Sequence, residues 1–161
     1  MSFITAEGAR KAQLDATDRA LVANALLAGA ENIVKYNTGV CHDVVAYTLY
    51  MRGARISATE LVQSTGQKWL DKFDYFRGEK WDGYSIIPKG KAVGFYRLVD
   101  KTFFHSAITT GNINEVRSVN GFKLGSGWNE RVDLSWVLGN RNSDGTFNYD
   151  GTKIEVYISS L

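Results

Sequence analysis

Asn37-Thr-Gly-Val-Cys41-His-Asp-Val-Val-Ala-Tyr-Thr-Leu-Tyr-Met-Arg-Gly53 is the stretch on which the reading of this chain turns. It reads as a turn opening directly into a helix. Asn37 or Thr38 has the side-chain oxygen of an N-cap, and Gly53 after Arg52 is a natural stop at the negative end of the dipole. Cys41, the sole cysteine, then falls in the first helical turn. The N–H groups there lack intrahelical partners, so the position favours a thiolate and predicts a lowered thiol pKa. A second reading stands beside it. Cys41, Val44, Val45, Thr48 and Met51 recur at helical spacing, and a free cysteine often simply fills a core.

Outward from this stretch, the composition limits what the chain can be. Its 161 residues suit one domain with a real core, and 44% hydrophobic with 22% charged residues is ordinary for a globular protein. A formal charge of +2, with basic residues scattered rather than striped, argues against a nucleic-acid partner. One cysteine excludes an internal disulfide framework. The N-terminus lacks the basic flank and apolar run of a secretory signal, and Ala20 to Ala30 is too short to span a bilayer. The expectation is a chain cytoplasmic as synthesised, with no membrane span.

Before the central stretch, the first dozen residues read as irregular and loosely attached (residues 1–14). Asp15 to Val34 then reads as a helix, with Leu21, Val22, Ala25, Leu26, Ile33 and Val34 along one stripe. After it, the capping-box pattern Ser57-Ala-Thr-Glu60 opens a third helix carrying Leu61, Trp69, Leu70 and Phe73 and ending near Gly78. Beyond Gly83 the periodicity becomes that of strands: Lys91–Val99, Thr102–Thr110, Ile113–Val119 and Lys153–Ile158, with a strand or short helix over Arg131–Leu138. Gly111-Asn112 reads as a tight two-residue turn. Helices first and an antiparallel sheet second predict an α+β fold with the helices on one face.

The second half of a candidate site is His105. His42, adjacent to Cys41, points about 100° away around the helix and is poorly placed to activate it. A histidine from a strand can face a helix N-terminus and take the thiol proton, the arrangement that thiol catalysis requires. With a two-residue turn, Val116, Ser118 and Asn120 share the face of His105, with Ser118 directly opposite. No paired ligand spacing accompanies Cys41, His42, Asp43 and His105, so no metal is expected, and no phosphate loop or other cofactor signature appears.

A cysteine opening a helix, the turn Pro88-Lys-Gly90 into a strand, and His105-Ser-Ala-Ile-Thr-Thr-Gly-Asn112 leading to a partner strand together resemble the papain-like cysteine peptidases. The likeness is to their compact bacterial branch that cleaves peptidoglycan stem peptides, and it covers roughly residues 37–120. Val40-Cys41-His42 stands where that branch usually has Asp-Cys-Ser, and Lys91 where it usually has an acidic residue. The resemblance implies a papain-like core and an amide hydrolase with Cys41 as nucleophile and His105 as base. It further implies an orienting residue on the next strand, for which Asn120 has the chemistry, and a polar oxyanion-hole side chain ahead of the cysteine, for which Asn37 is nearest. Asn120-Gly121 also reads as a turn, and Asn37 also as a helix cap. Trp128, in the glycine-rich run Gly121–Trp128, reads either as a substrate platform or as a core anchor.

The substrate implied is a peptide or protein. A deamidase or acyl transferase acting on a target protein would use the same pair, and a non-catalytic interaction protein would use neither. Small thiol domains of this kind also resemble bacterial toxin effectors, delivered without a signal peptide and countered by an immunity protein.

Overall fold

The computed structural model describes residues 2–161, which contain six α-helices and a seven-stranded antiparallel sheet. The helices are α1 (Ala6–Ala12), α2 (Ala16–Ala28), α3 (Cys41–Met51), α4 (Ala58–Gln63), α5 (Trp69–Phe73) and α6 (Leu134–Leu138). The strands are β1 (Glu79–Lys80), β2 (Ala92–Arg97), β3 (Thr102–Thr109), β4 (Glu115–Arg117), β5 (Val132–Asp133), β6 (Phe147–Tyr149) and β7 (Thr152–Ile158). Their order is β1-β7-β2-β3-β4-β5, with β6 pairing β7. The α+β expectation therefore holds. No helix among the described residues is long and apolar enough to cross a membrane.

Helix α3 is the hub. All eleven of its residues are buried, because α1, α2, α4 and α5 surround it and the sheet closes the remaining side. It therefore has no polar solvent face, and its hydroxyls work inward: Tyr47 donates to Gly8 O at 2.8 Å and Tyr50 to Ala12 O at 3.0 Å. These two bonds tie down α1, whose N-cap Thr5 accepts from Gly8 N at 2.9 Å. Residues 6–12 thus form a docked helix rather than the loose segment expected. No hydrophobic stripe announces α1, since Gly8 is its one buried residue.

Two further helices are shorter than the periodicity suggests. Asp15 caps α2, which stops at the left-handed Gly29 (φ 78°). Leu21 and Val34, expected on its inner stripe, are exposed. Arg117 and Trp128 reach α2 from the sheet side. Arg117 Nε donates to Leu27 O at 2.8 Å, and Trp128 Nε1 donates to Leu26 O at 2.9 Å. Both satisfy carbonyls of the last turn, and the guanidinium sits at the negative end of the dipole. The expected third helix is broken into α4, a 3₁₀ turn, α5 and a second 3₁₀ turn, with Asp74 left-handed (φ 48°) between the last two. Its capping box is present, with Ser57 Oγ accepting from Glu60 N and Glu60 Oε1 accepting from Ser57 N, each at 3.0 Å.

The sheet has a core on each face. The helical face packs Phe103, Ile108 and Val119 against α2, α3 and α5. The other face packs Phe95, Ala107, Val116, Ile154 and Val156 under Leu124, Leu134, Leu138 and Phe147. Loops, α6 and the β6–β7 hairpin cover this second face, so the sheet is enclosed rather than open on one side. A bulge at Phe104, where Phe95 pairs His105 but Tyr96 pairs Phe103, resets the alternation along β3.

The β3–β4 connection also departs from expectation. Ile108 pairs Arg117 and Thr109 pairs Val116, leaving residues 110–114 as the connection. Buried Asn114 sets its length: its Oδ1 accepts from Ile87 N at 2.8 Å, in a left-handed conformation that asparagine tolerates. The register slips by two residues, so the faces are unchanged. Continued beyond the ladder, it would set His105 opposite Asn120 rather than Ser118.

Candidate functional site

Cys41 is the first residue of α3. The cap is Val40, whose N–H donates to Asp43 Oδ2 at 3.0 Å, while Asp43 Oδ1 accepts from Gly66 N at 2.8 Å. Neither Asn37 nor Thr38 caps the helix. Asn37 Oδ1 instead accepts from Gly39 N at 2.8 Å, closing an Asx turn that aims the chain into α3. That oxygen is occupied, and Asn37 is buried.

The backbone N–H groups of Ser106, His42 and Cys41 itself each pull the thiol pKa down. Ser106 is reachable because its backbone groups point to the β4 side of β3, and the β3–β4 ladder has ended by then. Its carbonyl on the same edge accepts from Ser118 Oγ at 2.5 Å. Such N–H groups favour an anion, but burial outweighs them. Cys41 is 6% exposed, and burial pushes its thiol pKa up, helped by the nearby Asp43 charge. The lowered pKa expected from the helix position alone is therefore not found in this conformation.

His105 lies on the sheet face away from α3. It pairs Phe95 across the ladder and stacks on it, with centroids 5.5 Å apart. The expected thiol–imidazole hydrogen bond is absent: Nε2 bonds Leu124 O at 3.0 Å, and buried Nδ1 has no partner among the described residues. Strand alternation is the reason, because Ser106, not His105, projects toward the helix. A carbonyl can only accept, so the ring is the Nε2–H tautomer with the Nδ1 lone pair free. Burial holds the ring neutral, with its pKa pushed down to about 4.

Ser106 is the residue that sequence reasoning passed over. Its Oγ accepts from Tyr75 OH at 2.8 Å and lies 2.7 Å from His42 Nδ1. This buried chain links α3, β3 and the segment after α5. Burial lowers the pKa of His42 to about 4 as well. The signal was present in strand parity, since a residue beside His105 must face the other way.

The remaining candidates are distributed as follows. Asn120 does not orient His105. It is exposed and left-handed (φ 59°), and the carbonyl of Leu124 takes the orienting position. Ser118 is occupied by Ser106 O. Trp128 is a core anchor, almost fully buried and bonded to α2. Two cavities flank Asn120. One, about 250 Å³, is walled by Asn37, Gly39 and Val44 around the start of α3 and by Ser126 and Gly127 opposite. The other, about 180 Å³, contains His105 with Arg97, Phe122 and Tyr149. Among the described residues no cluster of His, Cys, Asp and Glu is grouped to hold a metal ion. No protein-family model matches the chain, and no curated protein is significantly similar to it.

Proposed function

We propose that the chain is a cysteine-dependent amide hydrolase of papain-like type, with Cys41 as nucleophile and His105 as base. The observation carrying this reading is the unpartnered Nδ1 of His105. A buried neutral imidazole, its tautomer fixed by a carbonyl, holds a free lone pair one residue along β3 from Ser106, whose backbone N–H favours the thiolate of Cys41. An unsatisfied buried nitrogen is costly to maintain, and a catalytic role accounts for it.

The reaction requires the ring, which faces away from α3 in this conformation, to swing round the edge of β3 where the β4 ladder has ended; Nδ1 then takes the thiol proton. The sulfur then attacks the amide carbon, and backbone N–H groups at the start of α3 bear the oxyanion. The imidazolium returns the proton to the leaving amine, leaving a thioester. Water, giving a proton to Nδ1, adds to the thioester, and the acid departs as the thiol re-forms. The substrate is a peptide or protein, and the resemblance to peptidoglycan stem-peptide peptidases makes such peptides the first to assay. Replacing Cys41 by alanine should abolish both turnover and iodoacetamide labelling while the fold persists. Replacing His105 by alanine should abolish turnover but leave a labelled thiol. Retained turnover in the Cys41 variant would remove the proposal. A one-dalton gain on a target, without chain cleavage, would redirect it to deamidation.

A further inference from the structure

At its C-terminal end α3 meets a concentration of positive charge. Arg52, the C-cap of α3, and Lys89 and Lys91, on either side of Gly90, line one cavity of about 220 Å³. Leu49, Ala54 and Leu161 supply its apolar wall. Two of the cations are seated on backbone. The Arg52 side chain crosses Gly90 so closely that a Cβ there would lie 1.8 Å from Nε and 2.5 Å from Cζ. Lys89 lies along Gly111 in the same way, its Cβ 2.8 Å and its Cδ 3.2 Å from where a Cβ would be. Buried Thr109 braces the turn that carries both lysines. Gly90 N donates to Thr109 O at 3.0 Å, Lys91 N to Thr109 Oγ1 at 2.9 Å, and Thr109 Oγ1 to Pro88 O at 2.6 Å. The three charges therefore come from two fixed pieces of backbone and share one cavity.

Like charges held together repel unless something offsets them. Among the described residues none of the three is in an ion pair. Leu161, whose main-chain carboxylate ends the chain, borders the same cavity. Set against three cations, that carboxylate and the roughly half negative charge at the end of α3 leave a surplus of about 1.5 positive charges. Asp71 and Asp74 line a neighbouring cavity, beside Arg55 and Lys72. A carboxylate ligand would cancel only part of the surplus. A phosphate monoester carries about −1.5 to −2 at neutral pH and matches it. The planar guanidinium fork also suits two phosphate oxygens at once.

We propose that this cavity, between the C-cap of α3 and the Pro88–Lys91 turn, binds a phosphate monoester borne on a compact apolar body. Arg52, Lys89 and Lys91 take the phosphate oxygens, and the apolar body rests on Leu49 and Ala54. Cys41 opens α3 and this cavity closes it, about 16 Å away along the helix axis. The site is therefore separate from the proposed Cys41–His105 chemistry and does not depend on it.

Isothermal titration of the full chain with phenyl phosphate, inorganic phosphate and benzoate tests it. Phenyl phosphate should bind one to one, about tenfold more tightly than inorganic phosphate, which lacks the apolar body, or benzoate, which carries less charge. Arg52→Gln and Lys89→Gln should each weaken phenyl phosphate about tenfold. Lys11→Gln on α1 should leave its binding unchanged, and iodoacetamide should label Cys41 at the wild-type rate in every variant. Vesicles containing phosphatidic acid distinguish the two sources of such a group. Pelleting that Arg52→Gln abolishes would place the phosphate on a lipid headgroup, whereas phenyl phosphate binding without pelleting places it on a soluble ester. Neither binding nor pelleting at millimolar phosphate would overturn the site. So would equal affinity for benzoate, or a folded Lys89→Gln protein that binds as the wild type does.

Discussion

Lowering the pH from 7.5 to 5 should strip this fold of stability through its two histidines. Both are buried and neutral, with pKa values held near 4 against an ordinary value of about 6.5. The sign follows from proton counting. Between those two values the unfolded chain binds protons that the folded chain refuses, so stability is full above about 6.5 and drains away as pH falls toward 4. Each histidine is then worth about 2 kcal/mol over that drop, and the pair about 4 kcal/mol. A typical domain has only about 5–15 kcal/mol in all, so the effect is large. Urea unfolding at half-unit pH steps reads it, and proton uptake near two per molecule on unfolding at pH 5 gives an independent check. His42→Asn, whose side-chain oxygen can accept from Ser106 Oγ, should roughly halve the slope whatever it does to absolute stability. The window above pH 5 keeps ordinary carboxylates largely out of the measurement. A flat free energy between pH 7.5 and 5, or imidazole resonances titrating near 6.5 in the folded protein, would refute the reasoning.

Three further outcomes follow from individual contacts. Ser106→Ala removes the hydroxyl between Tyr75 and His42 and strands both buried groups. It should cost about 2–4 kcal/mol in urea unfolding, with a Ser106→Ala/Tyr75→Phe double variant losing less than the sum of the singles. Gly8→Ala places a methyl 1.9 Å from Tyr36 O in a contact made of backbone. It should expel α1, seen as a lower melting temperature and as rapid proteolysis confined to the first fifteen residues. Trp128→Phe keeps most of the apolar volume but removes one of the two donors to Leu26 O, which keeps the Gly29 N–H, so about 0.5–1.5 kcal/mol should be lost with no change in the sheet's circular dichroism.

Much of the architecture was legible because it depends on local rules. The period of apolar residues separated a helical first half from a stranded second half. Ser57 and Glu60 announced their capping box, and Cys41 fell in the first turn of α3. Where one residue's environment was needed, those rules ran out. α1 carries no apolar stripe and exists because two tyrosines of α3 bond its carbonyls. The β3–β4 turn is longer than Gly111-Asn112 suggests because Asn114 is held by Ile87, 27 positions away.

For the candidate site, sequence alone determined which residue types are present and which element carries each: a thiol opening a helix, an imidazole on a strand, asparagine and tryptophan in a glycine-rich connection. Only the tertiary structure decided how they meet. Strand alternation turned Ser106 toward α3 and His105 away from it. Burial then raised the thiol pKa that a helix N-terminus by itself would lower, because desolvating a charge costs more than a few N–H dipoles return. Periodicity is a property of neighbours along the chain, whereas desolvation and the partner of a lone pair belong to whatever folds against them.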